Sequence, residues 1–294
     1  MIFRIKFAKY GVVRFIGHLD VMRYFQKVIR RSKLPVSYSQ GFSPHQLMSF
    51  ALPLSVGVTS DGEYMEVEFD DEPMRRLAAG TAKEPLRAAE IKNENTPDTL
   101  NTSAGNVTDE ELEAVIAKEL KNHTTEGFEI LDVRKLPDPK PNVHQDKAMA
   151  LVSAADYLIR VKDGYANAEH VGFASQNEFY NAFSSFMEQE RIEVTKKTKK
   201  NENVLNLREF VYAYGNGENA DAAGIAHART FKNGMQLTLR LAASSRMNIK
   251  PEMVLEAFLN SKCNGMEYDR NAFAFHRMEL YMGEKEDLRP LNRI

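Results

Sequence analysis

The spacing of apolar residues changes several times along the chain, and each change marks an element. Ile2 to Phe7 alternates with a period of two, with Phe3, Ile5 and Phe7 on one side and Ile2, Arg4 and Lys6 on the other. That is the pattern of a half-buried strand. From His18 to Lys33 the period lengthens. Val21, Met22, Phe25, Val28 and Ile29 fall on one helical face, and Arg23, Lys27, Arg30 and Arg31 fall on the opposite one. Pro35 is expected to stop this helix. Val36 to Tyr38 reads as a short extended piece, Gln40 to Pro44 as a turn, and Tyr64 to Phe69 as a strand. Glu110 to Leu120 predicts a helix capped by Thr108, and Phe128 to Val133 a further strand. Strand, helix, strand, strand, helix, strand is the order of a ferredoxin-like unit.

The second half repeats this order with one additional strand. Ala155 to Val161 predicts a strand, and Gln176 to Gln189 a helix with Phe179, Phe183 and Phe186 inward. Ile192 to Thr198 and Val204 to Tyr212 look like paired strands, and Met235 to Leu241 like another. Pro251 suits the first position of a helix running to Leu259, and Phe273 to Tyr281 closes the set as a strand. The expected class is α+β, two ferredoxin-like (βαββαβ) modules packed together, spanning residues 1–135 and 148–294. Residues 136–147 join them through a segment with prolines at 137, 139 and 141, a semi-rigid spacer. Residues 72–107, poor in large apolar side chains and rich in Asn, Thr and Gly, read as a mobile insertion in the first module.

With 43% hydrophobic and 27% charged residues, the composition is that of a water-soluble globular protein. No apolar run approaches the roughly 18 residues of a membrane span, and the alternating N-terminus reads as a strand rather than a signal peptide. One cysteine, Cys263, leaves no internal disulfide and fits a reducing cytoplasm. It also excludes a cysteine-held zinc or iron–sulfur site built from this chain alone, and neither a metal nor a cofactor is expected.

Charge alters the picture more. The first fifty residues hold nine Lys or Arg and a single acid, Asp20, a local charge of +8 on a chain whose total is −2. Residues 61–129 hold eighteen acids against seven bases, or −11. A block this basic attracts polyanions, and nucleic acid is the commonest large one.

Three features of the basic block carry chemistry. Arg23, Lys27 and Arg30 at i, i+4 and i+7 form a row with Arg31 and Arg14 nearby, suited to phosphates; a solvated helix face is the plain alternative. In Tyr38-Ser-Gln-Gly-Phe-Ser-Pro-His45, Gly41 permits a close backbone approach and Tyr38 and Phe42 offer stacking faces. Gln40 and His45 supply hydrogen bonds, an arrangement that holds unpaired bases unless Phe42 is buried in a rigid connector. His18 and His45 with Asp20 form a weaker acid–base set for RNA cleavage, with Asp20 better suited to the first turn of the helix. In the second half Lys196, Lys197, Lys199 and Lys200 crowd a strand end, to grip phosphate or to discourage edge pairing. Ala243 to Glu252 reads as a strand-to-helix turn whose amides suit an anion. There is no P-loop, GxGxxG, HExxH or nucleophile elbow, so binding outranks catalysis.

The stretch from His18 to Phe69, HLDVMRYFQKVIRRSKLPVSYSQGFSPHQLMSFALPLSVGVTSDGEYMEVEF, resembles the opening of the radical-SAM-linked protein family. Ile192 to Lys200, Leu205-Asn-Leu-Arg208 and Asn248-Ile-Lys-Pro-Glu252 resemble its later motifs, with Asn206 where an acid is usual. These are small proteins or C-terminal extensions associated with radical SAM enzymes that often carry a cobalamin-binding domain. Radical SAM chemistry needs three cluster cysteines, so the resemblance implies a radical SAM partner in trans and a substrate-presenting role here. With the charge and the aromatics, the expectation is an RNA-binding accessory protein that presents tRNA or rRNA. A metal-independent ribonuclease or RNA-modifying enzyme using His18 and His45, and a protein–protein adaptor without nucleic acid, are the alternatives.

Overall fold

The computed structural model describes residues 1–80, 107–138, 146–166, 171–197, 202–218, 231–262 and 268–294. Two compact units emerge. One comprises Met1–Val56, Glu63–Met149 and Leu291–Ile294; the other comprises Gly57–Gly62 and Ala150–Pro290. Both mix helices with β-sheet, so the class is α+β.

In the first unit the chain runs β1 (Ile2–Lys9), a 3₁₀ turn (Gly11–Phe15), α1 (His18–Ser32), β2 (Met48–Phe50), β3 (Thr59–Glu68, of which Thr59–Gly62 belong to the second unit), α2 (Asp71–Ala78), α3 (Asp109–His123) and β4 (Phe128–Lys135). The strands lie in the order β4-β1-β3-β2, with β4 antiparallel to β1 and β2 antiparallel to β3. The alternation of β1 turns Phe3, Ile5 and Phe7 into the core, where they join Phe25 and Ile29 of α1 and Ile116 of α3. Thr108 caps α3 with a reciprocal bond pair: Glu111 N donates to its Oγ1 at 3.2 Å, and its own N–H donates to Glu111 Oε2 at 2.9 Å.

The second unit contains α4 (Ala148–Leu151) only in its last residues, then β5 (Val152–Val161), α5 (Gln176–Met187), β6 (Glu193–Lys197), β7 (Glu202–Asn206), β8 (Val211–Gly215), β9 (Gln236–Ala242), α6 (Pro251–Lys262), β10 (Phe273–Met282) and β11 (Arg289–Pro290). Its main strands lie in the order β10-β5-β9-β8, every neighbouring pair antiparallel. β6 and β7 form a separate hairpin, β11 pairs with β10, and Thr59 and Ser60 at the start of β3 pair in parallel with His276 and Arg277. Phe179, Phe183 and Phe186 of α5 all contact Phe258 of α6, at ring separations of 6.0, 5.2 and 5.5 Å.

α1 runs from His18 to Ser32, as its spacing predicts, and ends on Lys33, the C-cap, in a left-handed conformation (φ 58°). Three other expectations change. β3 begins five residues before Tyr64. The insertion at 72–107 is not wholly irregular: its opening residues lie in α2, whose Met74 is fully buried. An average composition hides one well-placed apolar side chain; residues 81–106 lie outside the described residues. Finally, Val204 to Tyr212 is not one strand. A 3₁₀ turn at Leu207–Phe210, with Leu207 buried, hands the chain from the hairpin to β8. Among the described residues, no helix is long and apolar enough to cross a membrane.

Candidate functional site

α1 forms because its apolar positions recur at helical spacing and bury Val21, Phe25, Val28 and Ile29 against the sheet. The same spacing leaves Arg23, Lys27, Arg30 and Arg31 exposed. Arg23 Nη1 meets Asp20 Oδ1 at 3.2 Å, both side chains largely in water. Such an exposed pair contributes little, about 0–1 kcal/mol, and opens readily for another anion. Arg31 Nη2 donates to His123 O at 2.9 Å, a contact that leaves its charge uncompensated. Lys27 and Arg30 have no ion pair or hydrogen bond among the described residues. Arg14 is half-buried, its guanidinium 4.7 Å from the Phe15 ring centre.

Two other cations of the block are withdrawn from the surface. Arg4 is buried against Glu66, with Nη2 2.8 Å from Oε1. Lys9 is buried and donates to Ile16 O at 3.0 Å, fastening the 3₁₀ turn to the end of β1. The cations of α1 therefore stay on its outer face, while Arg4 and Lys9 of β1 are withdrawn from the surface.

The Tyr38–His45 loop is exposed but tied at its base. Tyr38 bridges to Gln46, Ser39 N donates to His45 O at 2.8 Å, and Ser39 Oγ lies 2.8 Å from His45 Nδ1. At its tip Gly41 takes φ +115°, and Phe42 and Gln40 stand in solvent. Gln46 Nε2 donates to Gln26 O at 3.4 Å, seating the loop against the middle of α1.

His18 and His45 share no hydrogen bond or ring contact among the described residues. The His18 ring packs edge-on to Phe50 at 5.3 Å. Its burial lowers its pKa, Glu63 opposing and Lys9 reinforcing that shift. Asp20 makes no cap: the N-cap is Gly17, and Asp20 lies in the first turn, where its charge suits the helix dipole. In the second unit Lys196 Nζ donates to Asn248 O at 2.9 Å. Lys199, Lys200 and the side chain of Lys197 lie outside the described residues. The amides of the Ala243–Glu252 turn are partly consumed, Ser244 N by Met247 O and Ile249 N by Ala242 O. Asn206 Oδ1 accepts from Ile192 N at 3.0 Å, and Arg208 Nη1 donates to Met187 O and Gln189 O at 2.7 and 2.8 Å. That motif therefore fixes the end of α5.

Sequence reasoning missed two polar clusters in the second unit. His276 lies 2.9 Å from Thr59 Oγ1 and 3.0 Å from Asp61 Oδ2. Arg240 grips Asp156 through Nε and Nη2 at 2.7 and 2.8 Å, while Tyr281 Oη donates to Asp156 Oδ2 at 2.8 Å. Those bonds raise the Arg240 pKa, and burial first, then Asp156, raises that of Tyr281. The available signal was a charged residue interrupting each of two apolar strands, Asp156 in β5 and Arg240 in β9.

No curated protein matches the chain. A family described as an uncharacterized protein conserved in bacteria, DUF2344, matches residues 3–93 and 101–251. The first span takes in β1, α1, the Phe42 loop and β3, and the second reaches the start of α6. Matched over most of its length, the chain belongs to the DUF2344 family of bacterial proteins.

Proposed function

We propose that this protein is an RNA-binding accessory module, working in the cytoplasm, that presents tRNA or rRNA to a radical SAM modifying enzyme. The observation that carries the reading is the outer face of α1, where Lys27 and Arg30 have no acidic partner among the described residues and Arg23 has only an exposed one. Phosphates are the natural complement of such a row. The radical SAM partner rests on the resemblance of His18–Phe69 and the later motifs to radical-SAM-linked proteins. Both units are read as ferredoxin-like modules, in which β10-β5-β9-β8 and β4-β1-β3-β2 follow the same strand order with helices between. The histidine route to RNA cleavage draws no support from geometry, since His18 and His45 share no hydrogen bond or ring contact among the described residues and the His18 ring packs on Phe50.

The test is binding of bulk tRNA as a function of salt. Affinity should fall linearly on a log–log plot, and Lys27→Ala with Arg30→Ala should flatten the slope by roughly 1.5. No affinity at low salt, or a flat slope, would end the phosphate-driven reading. Co-purification of an iron-containing protein, measured by metal content, checks the partner.

A further inference from the structure

Phe42 adds nothing to the core. Its ring is wholly exposed, and beside it the position where Gly41 would carry a Cβ faces open space. The loop is not slack, because Ser39 and His45 close its base with three hydrogen bonds. A second ring stands out just before α1. Phe15 is 60% exposed under the guanidinium of Arg14, while Val13 and Ile16 from the same segment pack on the core. Gln46 seats the Phe42 loop at Gln26, about 12 Å along the helix axis from His18. Two exposed aromatic rings thus stand in segments that adjoin α1, the helix whose outer face bears the cations.

We infer that this surface takes single-stranded RNA, with unpaired bases stacking on Phe42 and Phe15 while phosphates follow the cations of α1. This rests on the RNA reading above and narrows it. A phenylalanine ring has no donor or acceptor, so it distinguishes unpaired from paired bases rather than one base from another. Bases in a duplex are already stacked on one another and would leave the rings empty, so a duplex meets only the cations. Arg14 over Phe15 steadies that ring by cation–π attraction. The footprint is short, a few unpaired nucleotides, and tolerant of sequence.

The experiment compares the full chain binding a labelled oligo-uridine of about twelve nucleotides with the same strand paired to oligo-adenosine. The single strand should bind roughly ten- to a hundred-fold more tightly. Phe42→Ala should lower single-strand affinity about tenfold and leave duplex affinity unchanged, and Phe42→Trp should retain the preference. Lys27→Ala with Arg30→Ala should weaken both. Equal affinity for the two forms, or a Phe42→Ala loss that falls equally on both, overturns the stacking inference and leaves the phosphate reading standing. Binding to neither overturns the RNA reading and this inference with it.

Discussion

His276 Nε2 lies 3.0 Å from Asp61 Oδ2, joining residues 215 positions apart in the chain. The other ring nitrogen meets Thr59 Oγ1, so both polar atoms of a nearly buried imidazole are engaged. Thr59 and Asp61 share a face of β3 because side chains on a strand alternate. The parallel pairing they reinforce is short, covering only Thr59 with His276 and Ser60 with Arg277. Asp61→Ala should therefore destabilise the fold by about 1–3 kcal/mol, the cost of a buried group left short of a partner. Asp61→Asn, which keeps a hydrogen-bonding oxygen, should cost less. Urea unfolding decides it, and equal midpoints for wild type and Asp61→Ala would show the bond to be idle.

Gly62, next to Asp61, meets the backbone of β10. A Cβ there would lie 2.6 Å from Glu279 Cα and 2.8 Å from Met278 O. Those are backbone atoms beside the register shift between Arg277 and Glu279, and they cannot swing aside as a flexible side chain would. Gly62→Ala should cost about 1–3 kcal/mol through overpacking. An unchanged urea midpoint would show that the strands separate freely.

Ser60-Asp61-Gly62 also shows where the sequence stops being informative. Those residue types signal a turn, yet they lie inside a strand whose partner, β10, is more than two hundred residues away. Local patterns hold where their cause is local: the helical spacing of α1, and the Thr108 and Glu111 pair that starts α3. The same limit applies to the candidate site. The row of cations on α1 is visible from spacing alone. That Arg4 leaves the basic block depends on Glu66, which no rule of spacing links to it.

His18 gives the fold a pH dependence of known sign. Burial is the main cause lowering its pKa below the ordinary 6.5, with Glu63 raising it and Lys9 lowering it further. Between the lowered value and 6.5 the unfolded chain binds more protons than the folded one, so stability rises with pH through that window. Stability should be greatest, as far as His18 is concerned, above 6.5. It should erode as pH falls through 6.5 toward the lowered value and level off beneath it. The measurement is the urea midpoint of wild type and His18→Gln at several pH values. The gap between the two curves should change only in that window, and parallel curves would remove His18 from the account.

Arg4 and Glu66 form a buried ion pair whose remaining bonds are also satisfied. Arg4 Nε and Nη2 donate to Glu66 Oε1 at 3.1 and 2.8 Å, and Nη1 donates to Leu291 O at 2.6 Å. Glu66 Oε2 in turn accepts from Ala148 N at 3.1 Å. Taking two charges out of water is costly, and their attraction repays it only while both are present. Arg4→Met should thus cost about 3–5 kcal/mol, because Glu66 is left as an uncompensated buried charge. Adding Glu66→Met should recover much of that loss, since apolar residues of similar size often replace buried pairs at little cost. A double-mutant cycle by urea unfolding measures the coupling, which should be strongly non-additive. If the two losses simply add, Arg4 acts through Leu291 O alone, and the charge of Glu66 has no part in keeping Arg4 off the surface.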